Sequence, residues 1–587
     1  MQLFLLLAVG AIGAAVSAWG LARDGRAARA GAIGGGIALL VLIALTFTLG
    51  TPAPRTSGGD GSAGAIAGGL FDGRLVPTAY LRLTLGVWGL DAAVLTCLAW
   101  LLGGLPRLRG VLPGTLAAMT GGVVVLASAD LAVGAAAATA TGLAALMAVP
   151  PSRGRSAVAA AARELRLTLA VGAVLLAVVA VAPLIAALTL SAAHTTSGTV
   201  DGGAAAATTA GASAMLGLAA LAVTLGVGAR LGAIPFHLRF SRLADAASPI
   251  DLPLLLAWLA VPVVVAGLAI VDGQIAPLAL PLEGDRVVVI AVALVTMAGA
   301  ALAAFAQDDL RHAAGYLVIA DGGLVLLGFA ALDPAAWGPA RVWLVAMAAS
   351  KTALIAWAAV AEDRFGTRSV PDLRGWLRRS PILAAGLMVT IVATYGIPGW
   401  VAFEARGTLA RLAVDTPWDA LLVLAGFLTL PTYLRLVALG AGAPTSKVDA
   451  AAPERIVRRR GEGVSLLKET LDVELEGPPP DAPGGPVGEA TLDVVPDDAV
   501  GAVAPGRGRP AHGPSRRRVA AVVAGWSHDG TRGAGRLGGT LRRDRTELMA
   551  AAVLALAILA ALTSWGALDI AGAAAEPAPI AAGPAGD

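Results

Sequence analysis

The sequence predicts an all-α polytopic membrane protein with about fourteen transmembrane helices, two of them broken. Of its 587 residues, 57% are hydrophobic and 14% charged, where a soluble globular chain carries roughly a quarter charged. Mean hydropathy is +0.76. Apolar runs of about twenty residues recur along nearly the whole chain, each long enough to cross a hydrocarbon core about 30 Å thick. A soluble protein with a very large core fits these features less well.

Apolar runs bounded by Gly, Pro or charge give spans at about 1–20, 30–50, 78–104, 110–128, 130–149, 165–193, 206–231, 249–271, 286–306, 313–332, 340–361, 381–412, 417–442 and 546–570. The first, "MQLFLLLAVGAIGAAVSAWG", lacks a basic leading region, so it reads as a spanning helix rather than a cleaved signal. Loops after the odd spans carry "ARDGRAARA", "PRLRG", "PPSRGRS", "HLRFSRL" and "EDRFGTRSVPDLRGWLRRS". Those after the even spans include "AAHTTSGTVDGG" and "VDGQIAPLALPLEGD", nearly free of Lys and Arg. Basic loops stay in the cytoplasm. Both termini are therefore expected on the non-cytoplasmic side of a cell inner (cytoplasmic) membrane.

The expected organisation is helices 1–3 over 1–109, helices 4–8 over 110–271, helices 9–13 over 286–442, an insertion over 443–545, and helix 14 with a short tail over 546–587. The insertion is rich in Pro, Gly and charge, as in "EGPPPDAPGGPVGEA" and "PGRGRPAHGPSRRR". Such composition buries too little apolar surface to offset its ordering entropy, so a disordered cytoplasmic segment is expected. Its basic half, with Arg516, Arg517 and Arg518, could touch anionic lipid headgroups, although a solvated linker is the plainer reading. A net charge of +3, with no basic patch interleaved with aromatics, gives no reason to expect a nucleic-acid partner. The single cysteine, Cys97, excludes a disulfide framework and a thiolate cluster.

Two spans carry interruptions. "GVGARLGAIPFHLRFSRLADAASPID" places Arg230 five residues before Pro235. "PILAAGLMVTIVATYGIPGWVAFEARGTLARL" has Gly396-Ile397-Pro398-Gly399 in its middle, then Glu404 and Arg406. Proline removes a backbone donor and clashes with the preceding turn, so both segments should kink or unwind. Freed carbonyls at bilayer depth are tolerable only against protein or a wet cavity. Paired broken helices beside charge point to repeated halves around a transport path.

Residues 225–410 resemble the antiporter-like membrane subunits of proton-pumping NADH:quinone oxidoreductase and the related subunits of multisubunit cation/proton antiporters. The resemblance rests on Arg230, "PFH" at 235–237, Asp245-Ala246 and Pro249; on Asp309-Leu310-Arg311, Gly315-Tyr316 and Asp321; on "KTALIAWAAVAEDRFGTRSVPDLRGW"; and on "GIPG" with Arg406. A compact chain without a long C-terminal amphipathic arm is subunit N-like. The resemblance implies two inverted five-helix repeats, spans four to eight and nine to thirteen, around a mid-membrane proton relay. It implies a non-redox transport subunit in the lipid bilayer beside other membrane subunits. Flavin, iron–sulfur clusters and quinone would belong to those partners, so no cofactor is expected on this chain.

Carried over residue by residue, the relay is uneven. No acid stands near Thr139, where the family has one, and the closest, Glu164, sits at the cytoplasmic start of the next helix. Arg230 and Arg406 occupy the lysine positions, and Met347 replaces a histidine. The eighth span has no histidine or lysine in its interior. Arginine keeps its charge whereas lysine can exchange a proton. The expected relay is therefore Lys351, Asp321 and Glu404, with His237 as a proton uptake group and Arg230 and Arg406 as electrostatic gates. Asp308 and Asp309 read as solvated loop acids or a helix N-cap. Two alternatives stay open. One is a subunit of a cation/proton antiporter or membrane-bound hydrogenase; the other is a non-conducting paralogue with a role in assembly.

Overall fold

Where water is excluded, each backbone N–H and C=O must find a partner within its own segment, and helices meet that demand for apolar runs of this length. The protein, seen in a computed structural model, follows suit. The structure describes residues 2–49, 75–149, 155–196, 202–276, 282–414, 418–443 and 531–575, and these contain helices but no strand. Two compact units are distinguished, Met1–Thr445 with Arg545–Asp587, and Ser446–Asp544. The insertion expected at 443–545 falls mostly on residues outside the described ones. All that follows concerns the first unit.

Its helices are α1 (Gln2–Leu21), α2 (Arg26–Thr48), α3 (Ala79–Gly103), α4 (Leu105–Ala127), α5 (Leu131–Ala148), α6 (Arg155–Thr196), α7 (Gly202–Leu231), α8 (Leu238–Ala246), α9 (Ala260–Ile270), α10 (Glu283–Ala306), α11 (Leu310–Ala331), α12 (Pro334–Phe365), α13 (Trp376–Arg379), α14 (Pro381–Tyr395), α15 (Val401–Ala413), α16 (Asp419–Phe427), α17 (Leu430–Ala441), the part from Arg545 onward of α18 (Thr531–Trp565), and α19 (Ile570–Ala575). Among the described residues, 12 stretches are long and apolar enough to cross a membrane, and Leu131–Met147 and Pro381–Tyr395 are shorter apolar helices at the fifth and twelfth expected positions. The chain is a multi-pass membrane protein.

Local chemistry sets the ends. Asp130, Asp309 and Asp333 each accept hydrogen bonds from backbone N–H groups at the starts of α5, α11 and α12, satisfying donors that a first turn leaves free. Asp309 is thus an N-cap. α1 and α2 approach closely where Gly20 meets Gly31: a Cβ on Gly20 would lie 2.4 Å from the Gly31 Cα. Small residues permit that approach where no hydrophobic force drives helices together in lipid.

Burial grades the bundle from rim to axis. The spanning windows of α1 and α2 are 33% buried, that of α11 is 94%, and that of α12 is 100%. Rim residues such as Ile12, Ile33 and Leu40 turn outward, each about 63% exposed, as a lipid-facing surface requires. Lys351 therefore rides on the helix with the least access to either solvent or lipid.

Both expected breaks are present. α7 ends at Leu231, Gly232 turns at φ 75°, and the chain passes through Pro235 into α8. α14 ends at Tyr395, Gly396 and Gly399 take φ 70° and 90°, and α15 follows. Left-handed φ at these positions favours glycine. Two further irregularities were not expected from sequence. The eighth span has π-helical turns, Pro253–Trp258 and Val271–Ile275, on either side of α9. The thirteenth divides into α16 and α17 at Leu428–Thr429.

Candidate functional site

Each break leaves backbone carbonyls without helical donors, and in each an arginine supplies them. At the first, Arg239 of α8 donates to the carbonyls of Ala229 (3.3 Å) and Arg230. At the second, Arg406 of α15 donates through Nη2 to the Thr394 carbonyl at 2.6 Å. The broken helices thus bring fixed positive charge into the bundle, and each needs an anion nearby.

In the second half that anion is Asp321. Lys351 Nζ lies 2.6 Å from Asp321 Oδ2, with the two side chains 0% and 2% exposed. Nζ also donates to the Tyr433 hydroxyl at 3.1 Å. Trp343 donates its indole N–H to the Asp321 carbonyl (3.1 Å) and carries the Arg406 guanidinium over its ring at 4.6 Å. Phe427 and Tyr395 complete the aromatic box, 5.0 and 5.6 Å from that guanidinium. Tyr395 bonds Thr429 at 2.6 Å, at the division between α16 and α17. Arg406 Nε and Nη1 have no hydrogen-bond partner, so the guanidinium is held by cation–π contact and one carbonyl. The cluster holds two cations and one carboxylate, all buried.

In the first half the anion is Glu164 of α6. Arg239 Nε donates to its Oε1 at 2.6 Å, and Arg230 Nη1 reaches Oε2 at 3.5 Å and Thr168 Oγ1 at 3.5 Å. Glu164 and Arg230 are 4% and 3% exposed. A cavity of about 10 Å³, at the lower limit for one water, is lined by Thr139, Gly142, Thr168 and Arg230. Thr139, the position expected to lack an acid, thus lines the same cavity as the arginine, while a carboxylate reaches Arg230 from the next helix. A larger cavity, about 290 Å³, opens beside Glu164 and is lined by Arg163, Pro235, Phe236, Arg239 and Arg242.

The six residues singled out from sequence therefore divide. Lys351, Asp321 and Arg406 come together; Arg230 sits in the other cluster. Glu404 is exposed, its Oε1 accepting from the Gly399 N–H at 3.3 Å, outside the Lys351 cluster. His237 is half-buried at the first break, its ring 6.4 Å from that of Tyr316. Sequence reasoning missed Arg239 and Tyr433, and it left Glu164 at a helix start. The available signal for Arg239 was its place four residues past Pro235, within reach of the freed carbonyls.

The remaining charges of "DDLRH" staple one end of the bundle. Arg435 pairs with Asp308 at 2.6 Å, Arg368 with Asp309 and Asp245 at 2.9 and 3.0 Å, and His312 lies 3.2 Å from Asp245. Arg311 makes a two-pronged contact with Glu362, both arms 2.7 Å. Among the described residues no group of His, Cys, Asp and Glu could hold a metal ion.

Comparison with known proteins matches residues 137–432 to the family described as "NADH:quinone oxidoreductase/Mrp antiporter, TM". The chain is 38% identical over 116 residues to NADH-quinone oxidoreductase subunit N 2 of Syntrophobacter fumaroxidans, covering 20% of this chain and 24% of that one. It is 30% identical over 234 residues to NADH-quinone oxidoreductase subunit N of Halorhodospira halophila, covering 38% and 47%. The chain thus spans about a quarter to a half of the length of these relatives. A likeness of fold extends to a chain of respiratory complex I from Thermus thermophilus, with TM-score 0.54 at 17% identity, over 76% of this chain and 90% of that one.

Proposed function

Because the chain belongs to the NADH:quinone oxidoreductase/Mrp antiporter membrane family, we propose that it is a membrane subunit of a proton-translocating NADH:quinone oxidoreductase-type complex, moving protons through its second half. The observation that carries this reading is the fully buried pair of Lys351 and Asp321, 2.6 Å apart, beside Arg406. Of the two cations only Lys351 can surrender a proton, because a guanidinium stays charged. When the proton leaves Lys351 Nζ, Asp321 keeps a counter-charge in Arg406. When it returns, the ammonium regains both Asp321 and the Tyr433 hydroxyl. The site can thus alternate between two states without stranding a lone buried carboxylate, whose cost would be several kcal/mol. Arg406 acts as a fixed gate, and Arg230 plays that part in the first half. His237 takes up protons at the break that follows α7. Glu404, expected from sequence as a relay member, is exposed and bonded to the Gly399 N–H, so the proposed relay runs without it.

On this reading α4 to α9 and α10 to α17 are inverted five-helix repeats, each with one broken helix. Both termini lie on the non-cytoplasmic side of the inner membrane. The chain works in the bilayer beside other membrane subunits, which carry the flavin, iron–sulfur clusters and quinone. The first half supports a second reading: Glu164 is held between two arginines, neither of which can release a proton, as in a subunit kept for assembly. The family's Mrp branch keeps a cation/proton antiporter in view, and a membrane-bound hydrogenase subunit would use the same fold. Neighbouring genes for redox subunits or for small antiporter subunits separate these.

The direct test is Lys351→Ala in the assembled complex in vesicles. Electron transfer is expected to continue in uncoupled vesicles while the proton-to-electron ratio drops by this chain's whole contribution. Pumping at the parental ratio would remove the Lys351 relay.

A further inference from the structure

The relay leaves one face of α3 unused, and that face carries three buried polar side chains, with Trp88 between the second and third. Tyr80, Thr84 and Asp91 are spaced four and seven residues apart, so they share one side of the helix; they are 4%, 0% and 0% exposed. The face packs on α12, where Arg341 and Thr352, about three turns apart, stand opposite. At one end the Tyr80 hydroxyl donates to the Arg341 carbonyl at 3.3 Å, and the Arg341 guanidinium lies 5.8 Å from the Tyr80 ring. Half-buried Asp272 acts on Arg341 from the end of the eighth span. The other end, about 16 Å deeper at 1.5 Å per residue, is Asp91, beside Thr352 and Trp258. Thr352 directly follows Lys351 in α12.

Around Asp91 the donors are already committed. Trp258 Nε1 donates to Thr352 Oγ1 at 2.9 Å, and the Thr352 hydroxyl donates to the Ala348 carbonyl at 2.7 Å. Neither Asp91 oxygen has a hydrogen-bond partner, and nor does Thr84 Oγ1 between the two ends. An ionised carboxylate here would have no counter-charge, and the two donors beside it, Trp258 and Thr352, are bonded elsewhere, an arrangement that native proteins avoid. A protonated one becomes a donor, and Thr352 Oγ1 keeps a lone pair to receive it, since a hydroxyl accepts twice. Asp91 also stands against Trp258 in the eighth span, whose interior holds no lysine or histidine.

We propose that Asp91 is a proton-binding site at the inner end of a polar seam between α3 and α12, through which protons pass between the Lys351 region and the Arg341 end of the bundle. This rests on the Lys351 relay, which it extends by one station outside both repeats. The balance is simple: Asp91 Oδ–H donates its proton toward Thr352 and the Lys351 amine when that amine is neutral, and the carboxylate left behind takes up a proton supplied from the Arg341 end.

The test uses Asp91→Asn and Asp91→Glu in the assembled complex in vesicles. Asp91→Asn is expected to lower pumping several-fold with electron transfer retained in uncoupled vesicles, and Asp91→Glu to restore most of it. Parental pumping in Asp91→Asn overturns the seam. If Asp91→Asn fails to assemble, infrared spectroscopy of the full chain in lipid nanodiscs decides. A protonated-carboxyl C=O band that shifts in Asp91→Glu and moves in D2O supports the site; the absence of that band, or a band indifferent to D2O, overturns it. Lys351→Ala, run in parallel, separates the two ideas. If it pumps normally while Asp91→Asn does not, the Lys351 relay falls and Asp91 stands. The reverse result removes Asp91 alone.

Discussion

The two halves of the bundle hold related electrostatic clusters. Each has a broken helix, an arginine bonded to a carbonyl at the break, a second cation and one buried carboxylate. Glu164 pairs with both of its arginines, whereas Asp321 pairs with Lys351 and attracts Arg406 only from beyond pairing distance. In the first half the set is Arg239, Arg230 and Glu164; in the second it is Arg406, Lys351 and Asp321. The second cation is an arginine in one and a lysine in the other. Burial is alike; the pairing differs, and so does whether a proton can leave. On the proposed function, one cluster is a lock and the other an exchanger.

The comparison is broken most forcefully through Glu164→Gln. Removing one partner of a buried ion pair leaves uncompensated charge and costs about 3–5 kcal/mol; here two guanidiniums lose their only shared anion. A large loss of thermal stability in nanodiscs is expected, with pumping per folded complex unchanged. Lost pumping in a variant that remains folded would mean that the first half conducts. The smallest effect sharpens the boundary of the second cluster. Glu404 is exposed and engages the Gly399 N–H rather than a cation. Glu404→Gln should therefore shift stability by no more than about 0.5 kcal/mol and leave the pumping ratio within experimental error of the parent, measured in the same vesicles. A several-fold loss would bring Glu404 into the path.

The breaks were legible from sequence because Gly and Pro act locally in combination: Gly232 with Pro235, and Gly396 and Gly399 around Pro398, end their helices, whereas the single prolines Pro113 and Pro183 stay inside theirs. Lys351 and Asp321 were legible because an isolated charge in an apolar run must be met by something. What met them was not. Tyr433 lies 82 residues from Lys351 along the chain, and nothing local marks a tyrosine as its partner. Glu164 was obscured by its neighbours Arg163 and Arg166, which read as an ordinary membrane boundary, whereas rotation about the helix turns Glu164 alone inward to 4% exposure. The π-helical turns around α9 and the division of the thirteenth span depend on packing against other helices, which a single apolar run does not encode. The spans of α5 and α14 came out shorter than their apolar runs because caps and glycines, not hydropathy, set their ends.

The measurement that bears most directly on lock against exchanger is Lys351→Arg in the assembled complex. It keeps the positive charge beside Asp321 and removes the removable proton, turning the second cluster into a likeness of the first. Assembly and uncoupled electron transfer should persist while the proton-to-electron ratio drops by this chain's whole contribution. A Lys351→Arg complex that pumps at the parental ratio would show that charge alone suffices there, and that no proton passes through Lys351.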